Sequence, residues 1–183
     1  MEVRQLGIAP AGSWFLNGNT AVSLERDELY ETLYTTHATR LYAYAYRCGI
    51  PRDSIDDVVS EVFVVVWRKL DSVPDPPGDR PWLLGVARNV IAKQRQRSWR
   101  DRLLFERLAN SPRVNVQERQ GPMVLRDAIA HLPTKEREVV ILIEWEGLTH
   151  DEVALVLGCS ANASRLRLQR AKTRLRTALQ DVD

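Results

Sequence analysis

Two dense basic stretches and one acidic stretch carry the residues most able to do chemistry. Arg165, Arg167, Arg170, Lys172, Arg174 and Arg176 follow one another without an acid between Arg165 and Gln180. Pairing at i,i+4 within that stretch therefore cannot neutralise it. A second basic group, Arg88, Lys93, Arg95, Arg97, Arg100 and Arg102, lies nearer the middle of the chain. The acids Asp53, Asp56, Asp57 and Glu61 gather upstream of both. Opposite charges segregated in this way imply separate surfaces for different partners, and the unpaired last stretch points to a polyanion. The plainer reading is three solvated helix faces, and the unpaired arginines of the last stretch weigh against it.

Other chemistries find little support. The four acids have no second acid or histidine cluster with which to complete a two-metal nuclease site. His37, His131 and His150 fall in separate segments without metal-ligand spacing, and Cys48 and Cys159 form no CxxC pair. Gly7, Gly12 and Gly18 belong to no phosphate-binding loop pattern. The expectation is a protein that works by binding rather than catalysis, with no cofactor, no metal and no small-molecule substrate. At 183 residues, 44% hydrophobic and 27% charged, the chain can bury a core without disulfides. It shows neither a signal pattern nor an apolar run of membrane-spanning length, so a cytoplasmic protein not inserted in a membrane is expected. The end at Asp183 implies no further C-terminal domain.

The elements that must position these residues are helices. Residues 1–22 lack periodicity and read as a flexible extension, in which Trp14, Phe15 and Leu16 form a possible docking point. From Leu24 apolar residues recur at three- and four-residue steps until Gly49 and Pro51. Asp53 or Ser54 caps the next helix, with Ile55, Val58, Val59, Val62, Val65 and Val66 on one stripe. Four prolines in residues 71–81 exclude helix interior there. A helix resumes near Trp82, and 98–122 reads as a linker with room for one short helix at 100–109. A stripe from Val124 to Leu132 follows, then a helix capped by Thr134 and stopped by Gly147. Thr149 and Glu152 have the spacing of a capping box. Gly158 and Cys159 end that short helix, and Ser160 caps the last one, which runs to about Leu179.

Two helices joined by a glycine turn over 149–179 make a helix-turn-helix pattern. Ser164, Leu168, Ala171, Leu175 and Leu179 form the inward stripe of its second helix. Asn162, Ala163, Leu166 and Arg170 lie opposite, with Arg165 and Arg167 on the flanks. Arginines at the start of an exposed helix suit base edges and phosphates.

The order of motifs along the chain resembles the two main parts of bacterial sigma factors, specifically the compact extracytoplasmic-function (ECF) group. DSIDDVVSEVFVVVW at 53–67 and PWLLGVARN at 81–89 resemble that family's first part. LPTKEREVVILIEWEGLTHDEVALVLGCSANASRLRLQRAKTRLR at 132–176 resembles its second. Ser60 stands where the family has Gln, and Ser164 where it has a buried Val; the Ser164 hydroxyl is expected to bond back to a helix carbonyl. Leu166 stands where a small polar residue is usual.

The resemblance implies an all-α fold of two small helical domains joined by a flexible linker, the second a helix-turn-helix. It implies an extension at 1–23, a region 2-like domain at 24–98, a linker at 99–121 that threads towards the polymerase active-site channel, and a region 4-like domain at 122–183. The implied partners are core RNA polymerase, promoter DNA and an anti-sigma protein. Asp56, Asp57, Ser60, Glu61, Val64 and Arg68 would meet polymerase core, with Phe63 and Trp67 adding apolar surface. Trp82, Arg88, Asn89, Lys93 and Arg95 would meet the minus-ten element. Ser160, Asn162, Ala163, Arg165, Leu166, Arg167 and Arg170 would read the upstream, minus-thirty-five element. The alternative is a one-component helix-turn-helix regulator that binds DNA without polymerase.

Overall fold

Valine and leucine stripes set the packing of the first three helices. The computed structural model describes residues 18–109 and 123–180. Helix α1 spans Gly18–Arg47, α2 Ile55–Arg68 and α3 Asp79–Ala109. Val58, Val59, Val62, Phe63 and Val66 of α2 are buried against Leu41, Tyr44 and Ala45 of α1 and Leu83, Leu84, Ala87 and Ile91 of α3, in one continuous core. Each such side chain removed from water contributes about 1.5–3 kcal/mol. Gly49, at φ +82°, reverses the chain after α1 in a backbone region that favours glycine.

Several boundaries differ from those the periodicity predicts. Helix α1 starts at Gly18 rather than Leu24, so 18–22 are helical and not irregular extension. A short 3-10 turn, Arg52–Ser54, precedes α2, and the Ser54 side chain caps nothing. Its hydroxyl instead donates to Asp53 Oδ1 at 3.3 Å. Helix α3 runs unbroken to Ala109, so 100–109 continue α3 rather than form a separate helix. Trp14, Phe15, Leu16 and linker positions 110–121 lie outside the described residues.

The C-terminal group comprises α4 Met123–His131, α5 Thr134–Val140, α6 His150–Leu157 and α7 Ala161–Gln180. Pro133, not Thr134, precedes α5 as its cap residue, and no side chain bonds there. After Val140 the helix widens into one π-helical turn, Ile141–Trp145. Glu146 N–H donates to Ile141 O at 3.0 Å and Leu148 N–H to Leu142 O at 2.9 Å, which close the turn. Val139, Ile141, Leu142, Leu148, Val153, Leu168 and Ala171 bury the centre of this group. The two groups share one core and touch chiefly where α3 meets α6. Among the described residues there is no strand, and no helix is long and apolar enough to cross a membrane.

Candidate nucleic-acid interface

The helix-turn-helix is built by local rules. Thr149 N–H donates to Glu152 Oε2 at 2.7 Å, and Glu152 N–H donates to Thr149 Oγ1 at 3.2 Å. This reciprocal box satisfies two backbone donors that a helix start otherwise leaves open. Gly158 ends α6 in the left-handed region at φ +60°. Ser160 Oγ accepts from Ala163 N–H at 3.1 Å and so starts α7.

On α7, Ser164, Leu168 and Ala171 point inward, while Ser160, Asn162, Arg165, Leu166 and Arg170 are exposed and Ala163 and Arg167 are half-buried. Leu166 is 44% exposed, a large apolar group on an otherwise polar face. Among the described residues Arg165, Arg167 and Arg170 form no salt bridge. The far half of the basic stretch differs. Lys172 Nζ pairs with Glu144 Oε1 at 2.9 Å, and Arg174 Nε with Glu136 Oε2 at 3.1 Å. Tertiary neighbours thus neutralise what helical spacing could not, and leave the charge concentrated at the start of α7. The Ser164 hydroxyl does not bond to a carbonyl. It lies 2.9 Å from His150 Nδ1 on α6.

The α3 positions have internal partners. Arg88 donates to Glu138 of α5 through Nε, at 3.0 Å, and through Nη2, at 3.4 Å. Lys93 Nζ is 3.3 Å from Glu61 Oε1, and Arg97 Nη1 is 3.7 Å from Glu61 Oε2. Arg95 donates to the Cys48 carbonyl. Trp82 is half-buried and Asn89 exposed. Both line a groove of about 590 Å³ that is closed on the other side by Glu152, Leu155 and Val156 of α6. Leu155, 80% exposed, stands at its edge.

The same seam holds a buried carboxylate. Glu146 is 2% exposed; it accepts from Arg47 Nη1 at 2.9 Å and lies 4.0 Å from Arg40 Nε. Arg80 is beside it, its pKa lowered first by burial and then by the Arg40 charge. A buried anion needs such cations, because desolvation alone would disfavour it. Burial also pushes the Cys48 thiol, against the same seam, up to about 11. Sequence reading passed over Glu138, Glu146, Arg40 and Arg47. The available signal was an acid, Glu146, enclosed between Trp145 and Gly147 after an apolar run.

On α2, Asp56, Asp57, Ser60, Val64 and Arg68 are exposed and Glu61 half-buried. Val64 is 47% and Trp67 42% exposed, while Phe63, expected to add surface, is buried. Its ring packs edge-on against Tyr30 at 5.9 Å, and tilted against Tyr34 at 4.7 Å. Trp67 also meets Tyr30, at 5.2 Å, with the Arg26 guanidinium 5.8 Å from its ring centre. An apolar strip flanked by carboxylates therefore faces outward. Among the described residues no three His, Cys, Asp or Glu side chains come together as a metal site.

This arrangement, a helical group with an acid-and-apolar face and a helix-turn-helix with a basic start, is that of a promoter-recognition factor. The family models for Sigma-70 region 2 and Sigma-70 region 4 match residues 33–101 and 123–175. The sigma factor CnrH of Cupriavidus metallidurans is 32% identical over 82% of this chain and 86% of its own length. The ECF sigma factor SigL of Mycobacterium tuberculosis is 29% identical over 84% of this chain and 90% of its own. The solved structure of CnrH with the cytosolic domain of CnrY superimposes with a TM-score of 0.62 at 29% identity, over 84% of this chain and 88% of that one. The sigma factor RpoE from Bartonella quintana, solved with the anti-sigma factor NepR, has the same fold, with a TM-score of 0.68 at 22% identity over 82% of this chain and 96% of that one. The chain belongs to the sigma-70 family of bacterial RNA polymerase sigma factors, in its ECF group.

Proposed function

We propose that this sigma factor binds core RNA polymerase in the cytoplasm and directs it to one promoter class, acting by binding and not by catalysis. The observation that carries the reading is the start of α7. Arg165, Arg170 and Leu166 are exposed there, the two arginines without an ion partner among the described residues, on a helix held by the capping box and glycine turn behind it. In this reading Ser160, Asn162, Ala163 and Arg167 complete the surface that meets the minus-thirty-five duplex. Arg88, Asn89, Lys93, Arg95 and Trp82 hold the unpaired minus-ten strand by charge and stacking. Asp56, Asp57, Ser60, Glu61, Val64 and Arg68, with Trp67, dock on core, where carboxylates around an apolar strip suit a basic helical partner. Residues 24–98 and 122–183 act as the two working domains and 99–121 as their connection. An anti-sigma protein is the natural restraint, as CnrY and NepR accompany the sigma factors in the similar structures.

The two promoter elements are about 25 base pairs apart, or ~85 Å at ~3.4 Å per pair. Helices α3 and α6 touch in the free chain. Both elements can be read together only when the two domains part, and Glu138 and Glu146 hold them closed until then.

Run-off transcription with purified core, with and without the chain, tests this directly. A promoter-specific product only in its presence is expected. Asp57→Arg with Glu61→Arg should abolish that product and co-purification with core. Specific duplex binding with no effect on core transcription would instead establish the one-component regulator.

A further inference from the structure

Ser164 is fully buried, yet it is polar and lies in the stripe that joins α7 to α6. Its backbone N–H donates to Ser160 O at 3.0 Å in ordinary helical fashion. Its hydroxyl crosses the seam to His150 Nδ1 at 2.9 Å. His150 is the first residue of α6, directly after the Thr149 cap, so its ring stands on a helix end that the capping box pins. Among the described residues this is the one side-chain hydrogen bond between α6 and α7. Val153 and Val156 of α6 and Leu168 and Ala171 of α7 belong to the same buried apolar core. Apolar contact is non-directional and tolerates small rotations, whereas a hydrogen bond weakens steeply when misaligned.

The residues that follow Ser164 are Arg165 and Leu166, on the outward face. A 20° turn of α7 about its axis moves a side chain at ~6 Å radius by roughly 2 Å. Productive contacts tolerate only about 0.5 Å. A device that fixes the rotation of α7 therefore determines which base edges its outward side chains reach.

We propose that His150 and Ser164 are positioning residues: their hydrogen bond sets the rotation of α7 and so the sequence preference of Arg165 and Leu166 at the upstream promoter element. The proposal rests on the reading that α7 enters the major groove.

The test uses holoenzyme assembled from core polymerase and the full chain, on promoters randomised across the upstream element, with transcripts sequenced. Ser164→Val and Ser164→Thr have the same shape and differ only in the hydroxyl. His150→Leu removes the other partner at a half-buried site. Ser164→Val and His150→Leu should each change base preference at least fivefold at the same positions. The double variant should add nothing further, and Ser164→Thr should keep the wild-type profile. Identical profiles for Ser164→Val and Ser164→Thr, or a wild-type profile for His150→Leu, would overturn the proposal. A wild-type holoenzyme without preference in the upstream element would overturn the groove-reading role of α7 itself.

Discussion

The basic start of α7 and the basic face of α3 are similar in composition and opposite in condition. Arg165 and Arg170 are exposed, and among the described residues no carboxylate pairs with them. Arg88, Lys93 and Arg97 each rest on a glutamate, and Arg95 on a backbone carbonyl. One surface is preformed; the other is satisfied by the protein itself. Basic residues near DNA-binding motifs therefore differ in availability according to which acids the tertiary fold brings to them. In the proposed reading a duplex meets α7 as it stands, whereas a strand reaching Arg88 must first displace Glu138 of α5.

The largest expected effect reports on that closure. A thiol reacts as thiolate, and Cys48 is held at about 11 against an ordinary 9.0. At pH 8 this lowers its thiolate fraction about 100-fold. Alkylation at pH 8 should label half-buried Cys159 first. Glu138→Gln with Glu146→Gln should then release Cys48 by up to two orders of magnitude, as each charged hydrogen bond lost costs the closed form about 1.5–3 kcal/mol. Equal Cys48 rates in both proteins would show that the seam does not depend on these carboxylates.

Of similar size are the effects at the arginines proposed to read DNA. Arg170→Ala or Arg165→Ala should weaken duplex binding by the free chain about 5- to 150-fold if the residue reads a base, a cost of ~1–3 kcal/mol. A phosphate contact would instead lower the salt slope by about one. Arg88→Ala should leave free-chain duplex binding unchanged, and a comparable loss would erase the contrast between the two surfaces. Fluorescence anisotropy at two salt concentrations measures all three. The smallest effect belongs to Glu61→Gln. It frees Lys93 and Arg97 from exposed pairs worth ~0.2–1 kcal/mol each, so binding of minus-ten single strand should tighten less than fivefold.

Much of the fold was legible because local rules act alone at those places. The Thr149–Glu152 box, the Gly158 turn and the Ser160 cap formed as spacing predicts. Boundaries failed where propensity competes with context. Pro133 took the cap position in place of Thr134, and α3 ran on through polar residues to Ala109. Phe63 was misplaced because helical spacing says which residues share a face, not which face meets α1. The partners of Arg88 and Ser164 were beyond reach for the same reason. Glu138 is 50 residues from Arg88, and His150 is 14 from Ser164. Only the tertiary fold brings these pairs together.

Energy transfer between dyes at Gln96 on α3 and Thr177 on α7 reports directly on whether the two helical groups part. High transfer is expected in the free chain, where α3 and α6 touch. On addition of core polymerase and promoter duplex, transfer should collapse as the two surfaces move to elements ~85 Å apart. High transfer that persists in a transcribing complex, or low transfer in the free chain, would contradict it.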